Sequence, residues 1–343
     1  MTVAAHATTG GSPDVDARAD GSTRRDRTPA GGWRVVARKE LADHVRSVRF
    51  AILVVLVVLA GLAAIHSATG PIRDAAEAAS QTPSVFLYVF TLSPERVPAF
   101  HEFIGILGPL LGIAFGFDAV NAERAQRTLP RLVSQPLHRD EIVNGKFVAG
   151  IGAIAIALAA VITAVVGYGV FRLGVLPSGG DVVRIVAFLL VSIVYVALWL
   201  AVSLLFSVVT RRAATAALAV IALWLGLTLF FGLVSGGIAD AVRSVPDSNP
   251  TTEQVLANAR LEQQISRLSP DQLYREATGA LLNPSRQSTG IIVTDQSSQA
   301  LPSTLSLGQS VLVAWWQIVV LCALTIAVFG AAYAAFMRQE VRA

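Results

Sequence analysis

The sequence predicts an all-α, polytopic membrane protein with six transmembrane helices, an N-terminal interfacial amphipathic helix and a helical extracytoplasmic cap between spans five and six. Three observations carry that prediction. Of 343 residues, 54% are hydrophobic and 15% charged, whereas soluble domains carry about 25% charged residues. Uncharged apolar runs recur at lengths suited to ~30 Å of hydrocarbon, which takes about 20 helical residues. Lys and Arg concentrate on alternate connections, the pattern that marks the cytoplasmic side.

Residues 1–32 hold Gly, Ser, Thr, Ala, Asp and Arg with almost no large apolar side chain. Burial there cannot offset the entropy of ordering, so a disordered cytoplasmic tail is expected. The first apolar run begins at Phe50, behind a long charged stretch, which is unlike a cleaved secretory signal. Over 33–48, Trp33, Val36, Ala37, Leu41, Val45 and Val48 share one face at about 100° per residue. Arg38, Lys39, Asp43, Arg46 and Arg49 take most of the other, with Arg34 and Glu40 at the boundary. This pattern predicts a helix lying in the cytoplasmic interface.

The spans are expected at 50–65, 103–117, 147–170, 185–209, 213–239 and 309–337. The second has only fifteen uncharged residues between Glu102 and Asp118 and could be re-entrant on length alone. Parity and charge favour a full crossing: six spans place 18 Lys and Arg on one side and 9 on the other. The basic-rich side is then cytoplasmic and holds both termini of a multi-pass protein of the cell membrane. The polar segment 240–308 falls outside. In it Ser269 suits an N-cap, Pro270 the first helical position and Gln272 the capping-box position, with Asn283-Pro284 as the stop. Upstream, Ala257, Leu261, Ile265 and Leu268 share a face. Two or three amphipathic helices are therefore expected on the outer surface, all within one membrane domain, 33–343.

Several function classes are disfavoured. The single cysteine, Cys322, lies in an apolar run, so neither a disulfide framework nor a thiolate metal site is expected. The +4 formal charge reads as topological and not as a nucleic-acid footprint. Ionisable residues are missing from the interior of five spans, which argues against proton relays. No HExxH occurs, the five histidines are scattered, and no base faces a serine nucleophile, so no catalytic or metal residue is assigned.

Two stripes stand out inside the spans. Gly105, Gly108, Gly112 and Gly116 recur at helical spacing in the second span, which suits close backbone approach to another helix. Ser192, Tyr195, Trp199, Ser203 and Ser207 line one face of the fourth span. They suit either interhelical hydrogen bonding or a substrate path.

The segment 121–146 between the second and third spans is charged and punctuated by prolines. Thr128 suits the N-cap of a short helix that tolerates Pro130 in its first turn. Leu129, Leu132 and Val133 form its apolar face, and a turn at Pro136 ends it. Asp140 and Glu141 suit the positive end of the next helix, and Lys146 the point of membrane entry. A docking role fits this pattern better than a plain loop.

The string Glu123, Thr128, Leu129, Leu132, Ser134, Pro136, Arg139, Glu141, Gly145 and Lys146 resembles the cytoplasmic signature of ABC-2 type permeases. The arrangement as a whole is similar to the permease branch of nitrous oxide reductase maturation. Arg127 stands where that family usually has glycine, and Pro130 where an acidic residue is common. The resemblance implies that 121–146 is the coupling segment seating on a separate ATPase subunit. It implies two permease chains, such as a homodimer, with two ATPase chains in the lipid bilayer, and export as the direction. It also implies ATP and Mg on the partner and no cofactor on this chain. The only Gly-Lys pair, Gly145-Lys146, is followed by Phe147 and lacks the upstream glycine of a phosphate loop.

Overall fold

A computed structural model describes residues 32–78, 85–92, 97–125, 139–246, 248–286, 288–290 and 304–339. The chain divides into Met1–Ala30 and Gly31–Ala343, and all described residues belong to the second unit. It is all-α, with no strand among the described residues. Among the described residues, six helical stretches are long and apolar enough to cross a membrane: Val48–Gly70, Phe100–Ala125, Asp140–Leu173, Gly179–Val209, Ala213–Val242 and Leu307–Met337.

Helix α1 (Gly32–Val45) leads into α2 (Val48–Ala78) through a turn in which Ser47 Oγ accepts from Phe50 N at 3.1 Å. After a 3-10 turn at Val85–Leu87 and the short α3 (Tyr88–Thr91), α4 (Phe100–Gly116) and α5 (Asn121–Ala125) make the second span. Then come α6 (Arg139–Leu173) and α7 (Gly179–Val209). The fifth span is α8 (Ala213–Leu225), a π-helical turn at Gly226–Phe230, and α9 (Phe231–Val242). Helices α10 (Thr252–Ser266) and α11 (Pro270–Leu282) precede α12 (Leu307–Met337).

Local chemistry sets these boundaries. Gly174, at φ 69°, ends α6 in the left-handed region, and its N–H reaches Val170 O at 2.9 Å. Ser178 caps α7 while Asp181 reaches back to Ser178 N at 2.9 Å. The same reciprocal box starts α10 at Thr251 and α12 at Ser306.

Helix α7 is the axis of the bundle, packing against α4, α6, α8, α11 and α12. Its span is 61% buried within the chain, against 11% for the fifth span, so α7 is a core helix and α8–α9 a peripheral one. Trp199, Tyr195 and Phe188 are its largest fully buried side chains.

Three expectations change. Val45 and Val48 do not continue the inward face of α1: they are 37% and 73% exposed because the helix stops at Val45. The inward face meets α6, not lipid, with Val36 against Gly145 and Leu41 against Gly152. At the opposite end, Ser269 does not close the capping box with Gln272. Its hydroxyl donates to Leu227 O in the π turn at 3.3 Å, and Gln272 Nε2 donates to Glu276 at 3.2 Å. A third difference concerns the loop between spans five and six. Helix α11 does not lie on the surface as a cap but is sunk into the bundle, with Leu273, Tyr274, Ala277, Ala280, Leu281 and Leu282 all buried. Leu268 falls beyond the end of α10 and is 72% exposed.

Candidate functional site

The two intramembrane stripes form a single seam. The glycine face of α4 lies directly on α7, so a Cβ on Gly112 would sit 2.5 Å from Val196 O, and one on Gly116 2.6 Å from Ser203 Cβ. A Cβ on Gly108 would sit 2.9 Å from Val196 Cγ2. Gly105 instead meets Tyr274 and Asp271 of α11, at 3.3 Å.

The polar stripe of α7 serves the same seam. Ser203 Oγ donates to Ile113 O at 3.1 Å, and Ser207 Oγ accepts from Val120 N at 3.1 Å and Asn121 N at 3.3 Å. Ser192 Oγ lies 2.9 Å from Tyr274 Oη, and the Tyr195 and Tyr274 rings stack at 4.4 Å. Trp199 is buried beside Gly112. Pro109 has no N–H to offer Gly105 O, its helical partner four residues back; Tyr195 Oη supplies the missing donor at 2.9 Å. A proline inside a span is tolerated where a neighbouring side chain satisfies the freed carbonyl in this way.

Of the residues in the charged segment, Thr128, Leu129, Leu132, Val133, Ser134 and Pro136 lie outside the described residues, as does the side chain of Arg139. Its two stems are described, and they meet. Lys146 Nζ lies 2.8 Å from Glu123 Oε1 and 3.1 Å from Glu40 Oε1, with 8% of its side chain exposed. One buried lysine therefore joins α5, α6 and α1. Two acidic partners suit that burial, because an ammonium stripped of water needs close opposite charge.

Gly145 and Lys146 have distinct tasks. A Cβ on Gly145 would sit 2.7 Å from Val36 Cβ and 2.9 Å from Trp33 O, so glycine is what lets α1 seat on α6. Glu141 Oε1 accepts from Gly32 N at 3.0 Å, tying the start of α1 to the start of α6. Glu40, placed at a boundary by periodicity, turns inward to Lys146. Its role was not legible from position alone, because the partner lies 106 residues away.

Arg124 makes a further connection at this end that motif reasoning missed. Its guanidinium donates to Thr210 O at 3.0 Å, Val208 O at 3.1 Å and Gln339 Oε1, fastening α5 to the end of α7 and to the chain's C-terminal turn. Between α1, the α4–α5 span, α6 and α7 is a cavity of about 340 Å³ with Phe115, Phe147 and Leu204 on its apolar side and Lys39, His44 and Asp118 on its polar side. Burial pushes the His44 imidazole below its ordinary value, against the opposing pull of Glu40. Asp118 pairs with Arg49 at 2.5 Å.

The opposite end carries charge that the span pattern did not foresee. Glu276 of α11 is 2% exposed and accepts from Arg267 Nε at 2.9 and 3.0 Å, Gln263 at 3.1 Å, Gln272 at 3.2 Å and Gln317 of α12 at 2.9 Å. Arg184 is buried at the start of α7 and donates to Leu281 O, Ser310 Oγ and Leu305 O at 2.5–3.0 Å. These groups bolt α11 to α7 and α12. Burial raises the Asp271 carboxyl above its usual range even with Arg275 beside it at 2.9 Å. Among the described residues no cluster of His, Cys, Asp and Glu is arranged to hold a metal ion.

No curated protein matches the chain at a significant level. The model of the family described as ABC-2 family transporter protein matches residues 34–341. The match spans nearly all of α1, all six spans and both loop helices. The chain thus belongs to the ABC-2 transporter family, as a multi-pass permease subunit of the kind that pairs with a separate ABC ATPase.

Proposed function

We propose that this permease couples to its ATPase through 121–146 and exports an apolar or amphipathic cargo as part of a homodimer, with both termini in the cytoplasm. The observation that carries the coupling assignment is the ion pair between Glu123 and Lys146 at 2.8 Å. It fixes the two stems of the segment, α5 and the start of α6, side by side. Force applied to those stems is passed through Lys146 to α6, through Arg124 to α7, and across the glycine seam to α4. Rigid transmission needs such contiguous packed contacts, because packed interfaces switch and do not stretch.

Export is supported by the family resemblance of the segment, and an apolar or amphipathic cargo by the scarcity of charged side chains within the spans. The cytoplasmic termini are supported by the 18 to 9 division of basic residues. ATP and Mg belong to the partner in this reading, and this chain supplies the docking contacts.

The test is co-purification with the ATPase subunit encoded nearest the permease, in detergent. Leu129→Asp with Leu132→Asp is expected to lower association at least tenfold, with the thermal midpoint of the permease unchanged. Arg139→Ala is expected to lower transport-linked ATP turnover. Full association and turnover in both variants would falsify the assignment. The competing reading, a non-transporting scaffold for maturation of an extracytoplasmic enzyme, is tested with surface substitutions on α10, such as Arg260→Glu. Deleting 250–290 does not discriminate, because it removes α11 from the core.

A further inference from the structure

Helix α1 has two arcs with different neighbours. Trp33, Val36, Ala37, Glu40, Leu41 and His44 turn toward α6 and the cavity beside it. At about 100° per residue, Arg34, Arg38, Lys39 and Arg46 fall within about 140° of the other arc, and all four are exposed. Arg46 keeps the helical register, since its N–H still reaches Ala42 O at 3.1 Å. Asp43 is the one acidic residue on this side of α1, and it lies 3.7 Å from Lys39.

Between these cations runs a shallow trough. Val35, 71% exposed, and Ala42 form its floor, with Arg34, Arg38 and Lys39 around it. Two residues after α1 ends, α2 begins as a span, and Val48, Ile52 and Val55 are open at 73%, 60% and 55%. The cationic arc therefore sits where the chain leaves the hydrocarbon. Since α6 occupies the apolar face of α1, insertion of that face into lipid is not available. What α1 offers outward is positive charge interleaved with small apolar patches. Arginines four residues apart lie about 6 Å from one another on a helix, and each guanidinium can make paired hydrogen bonds to phosphate oxygens.

We propose that the outward face of α1, formed by Arg34, Arg38, Lys39 and Arg46 around Val35, binds anionic phospholipid headgroups of the adjacent leaflet. The trough takes the glycerol and first methylenes, and the arginines take the phosphate. This surface is separate from the Lys146 junction, whose lysine is already met by two carboxylates, and it does not depend on how 121–146 docks.

The test uses the purified full chain in neutral detergent and reads lipid retention by native mass spectrometry. Phosphatidylglycerol is expected to be retained over phosphatidylcholine. The triple variant Arg34→Gln, Arg38→Gln, Arg46→Gln should lower that preference on the order of 100-fold, since each cation near an anionic surface contributes about fivefold. Arg260→Gln, an exposed arginine on α10, should leave it unchanged. An undiminished preference in the triple variant overturns the proposal. So does loss of ATPase association with lipid preference intact, which would assign the face to a protein partner. Salt gives a check that needs no variant: the preference of the unaltered chain must fall as ionic strength rises, and a salt-insensitive preference also overturns the proposal.

Discussion

Tyr195→Phe isolates one hydrogen bond in the centre of the bundle. The change removes a hydroxyl that is 0% exposed and leaves the stacked ring in place against Tyr274. The group left behind is Gly105 O, which lacks its helical donor because residue 109 is proline. A buried acceptor with no partner costs about 1–3 kcal/mol, and no water reaches this site cheaply between three packed helices. The same carbonyl can be satisfied by a different route: Pro109→Ala restores the intrahelical N–H. The cost of Tyr195→Phe should therefore drop from about 2 kcal/mol in the parent to about 0.5 kcal/mol or less in the Pro109→Ala background. Pro109→Ala has its own cost from the lost ring, but this cancels in the double-mutant cycle. The assay is unfolding by titration with SDS in mixed micelles, followed by loss of helix signal. An equal cost of Tyr195→Phe in both backgrounds would show that the hydroxyl is not replacing the proline's missing donor.

Other perturbations separate the remaining contacts. Gly112→Ala and Gly116→Ala press a methyl onto α7 backbone atoms at 2.5–2.9 Å and should each cost about 3 kcal/mol or more. Gly232→Ala meets nothing within 4 Å and should be neutral or stabilising by about 0.5–1 kcal/mol; comparable losses at the three sites in the same titration would refute the seam. Lys146→Met leaves Glu40 and Glu123 facing each other, and at 14–19% exposure of their side chains the expected loss is near 3 kcal/mol, the lower end for a broken buried pair. Adding Glu40→Gln and Glu123→Gln should recover most of it, and a silent Lys146→Met would count against the junction. For His44 the folded state disfavours the proton, so the unfolded chain binds it first and stability falls as pH drops below about 6.5. His44→Gln should flatten that part of the thermal-midpoint profile relative to the parent, and an unchanged slope would show that His44 is not its source.

The stripes of Gly105 to Gly116 and Ser192 to Ser207 were visible as separate helical faces, because spacing along one helix reports only that helix. Which face meets which is a three-dimensional fact. The same limit explains Glu40: helical phase put it at a boundary, while its partner Lys146 belongs to a helix that periodicity treats independently. Helix α11 was legible from Ser269 to Asn283, yet its depth was not. A pattern with Asp271, Glu276 and Arg275 reads as a surface helix, and only the pairing of Glu276 with Arg267 and Gln317 makes burial tolerable.

By itself the sequence determined the all-α class, the six spans and the location of the charged connection. Those follow from hydrocarbon thickness, helical rise and the high cost of unpaired backbone in lipid, all of which act on each segment locally. The tertiary structure decided the neighbours: α1 on α6, α4 on α7 through glycine, α11 inside the bundle, and Glu123 beside Lys146. Between apolar helices in lipid the hydrophobic effect does not choose a partner, so close packing and a few buried polar contacts do. Such contacts join residues far apart in the chain, and no local pattern encodes them.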